Sequence, residues 1–159
     1  MTAAQILAAA RARGWRIATA ESCTGGMVSA ALTEVAGSSD VFDRGFVTYS
    51  NEAKQAMLGV LAATLADHGA VSEQVAAEMA EGALRQSLAD LAISVTGIAG
   101  PGGSQAKPEG RVCFGLTRRG GTGQTLTQTQ TVEFGALGRG FVRQAACLHA
   151  LALLAQGLD

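Results

Sequence analysis

The sequence predicts an α/β fold: a mixed sheet held between helical layers. Three observations predict it. Short alternating segments interleave with segments of helical period in the first two thirds of the chain, and strand signals cluster later. Glycines such as Gly14, Gly37 and Gly59 stand where those segments stop. Apolar residues make up 48% of 159 residues and charged residues 16%. That is enough to build one core, so residues 1–159 are expected to form a single domain.

The elements follow in order. Residues 3–13 are Ala-rich, carry Ile6 and Leu7, and end at Gly14, which predicts a helix. Trp15, Ile17 and Thr19 alternate with Arg16, Ala18 and Ala20, a strand signal. Met27, Val28, Ala31, Leu32 and Val35 recur at helical spacing up to Gly37. Asp43 to Tyr49 reads as a second strand, with Asn51 as the N-cap of a helix that carries Lys54, Met57 and Leu58. Leu61 to Asp67 is a short helical piece.

Ser72 is an N-cap candidate, with Glu73 in the first turn. Behind it, Val75, Met79 and Ala83 form one ridge of a helix, and Ala76, Ala80, Leu84 and Leu88 the next. Leu91, Ile93 and Val95 predict a third strand. Gly97 to Gly110 is a long loop with both prolines, a type that often carries function. Arg111–Thr117 and Gln124–Phe134 predict a hairpin through residues 118–123, and Phe141–Leu158 a closing helix.

A net charge of −1 argues against a nucleic-acid binder, and 4% aromatics are too few for a base-stacking platform. Cys23, Cys113 and Cys147 are an odd set at irregular spacing, read as three reduced thiols rather than a disulfide framework or a zinc site. No run reaches about 18 apolar residues and the N-terminus lacks a signal-peptide core. The expectation is a soluble cytoplasmic protein without a membrane segment. The Ala/Leu-rich first and last helices could supply an apolar patch, so a homo-oligomer, a dimer first, is expected.

Four segments can carry chemistry. Glu21 to Gly26 sits where a strand ends and a helix begins, so free N–H groups and the positive dipole end suit an anion. Ser22 and Thr24 add hydroxyls, and Gly25 and Gly26 allow close approach. A plain capped helix start explains the same residues equally well. Tyr49 to Lys54 brings a phenol and an amine, and a lysine with a lowered pKa can act as a base. His68 and His149 show no partner pattern, so a Ser-His-Asp triad is not indicated and a Ser-Lys or Ser-Tyr-Lys arrangement replaces it. The Gly97–Gly110 loop fails the dinucleotide fingerprint and reads as a wall or lid. Arg139 and Arg143 could each fork onto a phosphate. Glu21, Asp43 and Glu52 have no spacing that calls for a metal.

Several motifs go further. Ala20-Glu21-Ser22-Cys23-Thr24-Gly25-Gly26, Gly37-Ser38-Ser39, Arg44-Gly45-Phe46-Val47-Thr48-Tyr49-Ser50-Asn51-Glu52-Ala53-Lys54 and Gly69-Ala70-Val71-Ser72-Glu73 resemble the C-terminal domain of the competence/damage-inducible CinA family. So do Gly97-Ile98-Ala99-Gly100-Pro101 and Lys107-Pro108-Glu109-Gly110. The family includes stand-alone nicotinamide-nucleotide amidases, and the motifs span nearly the whole chain in its order.

The resemblance implies a three-layer α/β/α domain that hydrolyses the carboxamide of nicotinamide mononucleotide, with no cofactor or metal. It implies Ser22 as nucleophile with Tyr49 and Lys54 as activating partners. Glu21, Thr24, Gly25, Gly26, Gly97 and Gly100 are the candidate substrate contacts, and Arg143 the candidate for the phosphate. Two positions depart from the family pattern. Gly100-Pro101-Gly102-Gly103 lacks an acidic residue common after the proline, and Leu137-Gly138-Arg139 replaces a Gly-Asp-Arg run. The alternative reading is a non-catalytic nucleotide-binding or regulatory module.

Overall fold

The strand Ile17–Glu21 (β1) is buried along its whole length, and the rest of the chain is laid around it. In this computed structural model, which describes residues 1–104 and 106–159, Phe42–Val47 (β2) pairs with one side of β1 and Leu91–Gly97 (β3) with the other, both parallel to it. Arg111–Arg119 (β4) and Thr125–Glu133 (β5) add antiparallel strands, giving the order β2-β1-β3-β4-β5. Gln105, inside the expected 97–110 loop, lies outside the described residues.

Helices cover both faces. Ala3–Arg13 (α1), Met27–Thr33 (α2) and Arg139–Gly157 (α6) enclose Ile17, Ile93, Val95 and Phe114 on one. Asn51–Leu58 (α3), Ala62–His68 (α4) and Glu73–Arg85 (α5) pack on the other, over Ala18, Ala20 and Ala92. The three-layer α/β/α sandwich around a mixed sheet is the expected class.

The alternation in β1 and β3 has a different cause from the one its pattern suggests. It does not separate a core face from a wet face, since both faces are buried. Ile17, Leu91, Ile93 and Val95 lie under α1, α2 and α6, while Ala18, Ala20, Ala92 and Ser94 lie on the α5 side. The small face lets α5 approach closely enough for Ser94 Oγ to donate to the Ala76 carbonyl at 2.5 Å.

Several boundaries shift. The N-cap of α3 is Ser50, not Asn51: its hydroxyl accepts the Ala53 N–H at 3.0 Å, and Asn51 is the first helical residue. Strand β2 runs from Phe42 to Val47, which leaves Thr48 and Tyr49 beyond its end. Strand β4 continues through Arg119, and α6 already starts at Arg139. Asp43 is held by Arg44 and Arg16 and accepts the Leu88 N–H, and no potential metal cluster occurs among the described residues. Among those residues, no helix is long and apolar enough to cross a membrane.

Two main-chain bonds turn the end of β1 into a site. Thr48 N–H donates to the Glu21 carbonyl at 2.9 Å, and Ser22 N–H donates to the Val95 carbonyl at 2.9 Å. They pull the segments leaving β1, β2 and β3 together at the carboxyl edge of the parallel strands, where open α/β sheets place ligands.

Candidate active site

A cavity of about 410 Å³ opens there, within the usual range for small-ligand sites. Its walls come from the turn after β1, the β2–α3 segment, the loop after β3 and the first turn of α6.

The turn after β1 holds Ser22, whose residue is 8% exposed. Beneath it Glu21 is fully buried. Its carboxylate accepts Thr24 Oγ1 at 2.7 Å, Val28 N–H at 2.8 Å, and both the N–H and hydroxyl of Ser29 at 3.0 and 2.8 Å. The start of α2, which the sequence offers as an anion cradle, is therefore already filled by the protein's own anion. Gly26 precedes α2 with φ near 106°, a conformation that favours glycine. Cys23 lines the cavity, but burial pushes its thiol pKa up to about 11, so it is protonated at neutral pH.

Lys54 reaches the same floor from α3 and is only 1% exposed. Its Nζ lies 3.3 Å from Ser22 Oγ, donates to the carbonyls of Thr48 at 2.9 Å and Tyr49 at 3.2 Å, and is 3.5 Å from the Ser50 carbonyl. No carboxylate lies within salt-bridge distance among the described residues. Desolvation lowers its pKa, against smaller opposing effects of Cys23 and Glu52.

Tyr49 stands at the rim, 60% exposed. Its hydroxyl accepts Arg139 Nη2 at 2.8 Å, while Arg139 Nη1 donates to the Gly100 carbonyl at 2.7 Å. Arg139 thus ties the β2–α3 segment to the loop opposite.

The Lys107-Pro108-Glu109-Gly110 motif shapes that loop. Lys107 Nζ donates to the carbonyls of His68 and Val71, each at 2.5 Å, and Glu109 Oε1 accepts the Gly102 N–H at 3.2 Å. Gly100 has φ near 91°, and a Cβ there would collide with the Glu109 carboxylate. The glycine and the acid therefore fit as a pair.

Of the sequence-selected residues, Ser22, Tyr49, Lys54, Gly97 and Gly100 line the cavity. Glu21, Thr24, Gly25, Gly26 and Arg143 do not. Thr24 is fully buried against Glu21. Arg143 faces the back of the turn, where Nε donates to the Cys23 carbonyl at 3.0 Å and Nη2 to that of Thr24 at 3.4 Å. Arg139, an alternative to Arg143 for the phosphate, and Lys107, which had no assigned role, both line the cavity. The available signal was their place in, or beside, segments already singled out. His149 packs on Phe114, ring centroids 4.7 Å apart, and is no part of the site.

Comparison with known proteins agrees with the fold and the motifs. The CinA C-terminal domain family matches residues 1–158. Nicotinamide-nucleotide amidohydrolase PncC of Escherichia coli K12 is 51% identical over 153 residues, 96% of this chain and 90% of that protein. The protein of the same name from Enterobacter agglomerans is 57% identical over 127 residues, 79% of this chain and 76% of its own. Among solved structures, competence/damage inducible protein CihA from Agrobacterium tumefaciens superposes with a TM-score of 0.89 at 48% identity, covering 97% of this chain and 92% of that one. A CinA superfamily protein from Klebsiella pneumoniae gives 0.90 at 41%, covering 98% and 94%. This chain belongs to the CinA C-terminal domain family.

Proposed function

We propose that this chain is a nicotinamide-nucleotide amidohydrolase. It hydrolyses the carboxamide of nicotinamide mononucleotide to nicotinic acid mononucleotide and ammonia, in pyridine nucleotide salvage within the cytoplasm. The observation that carries this is a desolvated lysine amine 3.3 Å from a serine hydroxyl on the floor of a ligand-sized cavity. The names of the two amidohydrolase relatives support the same chemistry.

The arrangement suggests the steps. A neutral Lys54 amine has two N–H groups, which the Thr48 and Tyr49 carbonyls occupy, and its lone pair then faces Ser22. Ser22 Oγ attacks the amide carbon as its proton passes to Lys54 Nζ. The tetrahedral intermediate collapses as Lys54 protonates the departing nitrogen, which leaves as ammonia. Water then attacks the Ser22 ester, giving a proton to Lys54, and that proton returns to Ser22 as the acid departs.

Cys23 lines the cavity and its N–H makes no backbone bond to another residue among the described residues, so it is the donor offered to the oxyanion. Glu21, Thr24, Gly25 and Gly26 contribute by fixing this turn. Tyr49 partners Lys54 through its carbonyl, and its ring offers a flat wall for the pyridine. Gly97 and Gly100 shape the opposite wall from behind, since a Cβ on Gly97 would meet Val112 and one on Gly100 the Glu109 carboxylate.

A non-catalytic nucleotide-binding module would have no use for a lysine stripped of water against a serine. Ammonia release from purified protein tests the choice. Turnover lost in Ser22→Ala is the expected result, and unchanged turnover eliminates Ser22 as nucleophile. Nucleotide binding without any ammonia in the wild type establishes the module instead. Phe141 and Leu148, both exposed on α6, support the dimer reading, which solution mass measurement decides.

A further inference from the structure

The charge of the cavity is one-sided. Lys54, Lys107 and Arg139 line it, and among the described residues no Asp or Glu does. Two of the three cations are committed. Lys54 points at Ser22 and two carbonyls, and Lys107 bonds the His68 and Val71 carbonyls. Arg139 has donors to spare. A guanidinium carries five N–H groups. Its two bonds here go to neutral oxygens, those of Gly100 and Tyr49. No carboxylate lies within salt-bridge distance of it among the described residues. The start of α2 cannot substitute, since Glu21 fills it, and Arg143 is turned away onto Cys23 and Thr24.

We infer that Arg139 is the residue that binds the substrate's phosphate and sets the preference for a nucleotide over its nucleoside. This rests on the amidohydrolase reading. The two tethers hold the guanidinium at the rim before ligand arrives, so little ordering remains to be done on binding. A phosphate monoester matches the remaining fork, and the charge on each partner strengthens the bonds. The substrate then spans the cavity, with its amide at Ser22 and its phosphate at Arg139.

The test compares wild type and Arg139→Ala on nicotinamide mononucleotide and nicotinamide riboside by ammonia release. Ribose 5-phosphate and ribose serve as unreactive probes in thermal-shift titrations. The mononucleotide-to-riboside ratio of kcat/KM is expected to fall about a hundredfold in the variant, mainly through KM. Arg139→Lys should recover part of it, as a point charge without the fork. Ribose 5-phosphate should raise the Tm of wild type but not of Arg139→Ala. An unchanged ratio, or a retained ribose 5-phosphate shift, overturns the assignment. If wild type releases ammonia from neither substrate, the amidohydrolase reading fails, and the ribose 5-phosphate titration still decides whether Arg139 holds a phosphate.

Discussion

Lys54 Nζ stands 3.3 Å from Ser22 Oγ across a gap of 32 positions in the chain. Parallel pairing of β1 with β2, extended by the Thr48–Glu21 bond, closes that gap.

Desolvation lowers the Lys54 pKa, so the neutral amine is populated at lower pH than for an ordinary lysine. In the proposed mechanism the neutral form is the base, so kcat/KM should rise with pH and level off above that lowered pKa. In Lys54→Met the activity should drop by about a thousandfold or more and the rising limb should vanish. A flat wild-type profile contradicts this role. Stability has the same sign. Between the folded and unfolded lysine pKa values the unfolded chain binds more protons, so stability should increase with pH through that window.

Glu21→Gln tests the buried carboxylate. An amide NH₂ would replace one acceptor oxygen and confront the buried donors of Val28, Ser29 or Thr24. A loss of about 3 kcal/mol is expected in urea unfolding, as for a buried charged acceptor removed from its donors. Equal midpoints for variant and wild type would show that the turn does not depend on it.

Arg143→Ala should act on the turn rather than on the phosphate. Its bonds to the Cys23 and Thr24 carbonyls hold the backbone next to Ser22. Steady-state kinetics should therefore show a reduced kcat, by about tenfold, on mononucleotide and riboside alike. A loss confined to KM for the mononucleotide would return the phosphate to Arg143.

Cys23 should be inert. With its pKa pushed up to about 11, only on the order of one thiol in ten thousand is ionised at pH 7. Native protein treated with iodoacetamide should keep its activity, while denatured protein is labelled at Cys23, Cys113 and Cys147. Rapid inactivation would make Cys23 a functional thiol.

The sequence carried the fold because helix caps and apolar periods are local. Ser72 caps α5 as expected, through Val75 N–H at 3.2 Å. The same locality misled at Asn51, where Ser50 is an equally good cap one position earlier. Alternation in β1 and β3 identified strands but not their place, because size alternation between two buried faces looks like alternation between core and water. Ser22, Tyr49 and Lys54 were legible as candidates, but the approach of Lys54 to Ser22 depends on sheet pairing. Arg139 and Arg143 lie one helical turn apart, so spacing could not say which end of that turn meets the cavity. The start of α2 looked vacant because the anion that fills it, Glu21, comes from the strand before it.

That buried Glu21 carboxylate also bears on how the reaction ends. Hydrolysis of an amide leaves a carboxylate where a neutral group lay. An open helix N-terminus beside Ser22 would attract this new anion and hold it. Here Glu21 already occupies the dipole end, so a new carboxylate at Ser22 finds no free helix terminus, and its attraction is left to the cations that line the cavity, Lys54, Lys107 and Arg139.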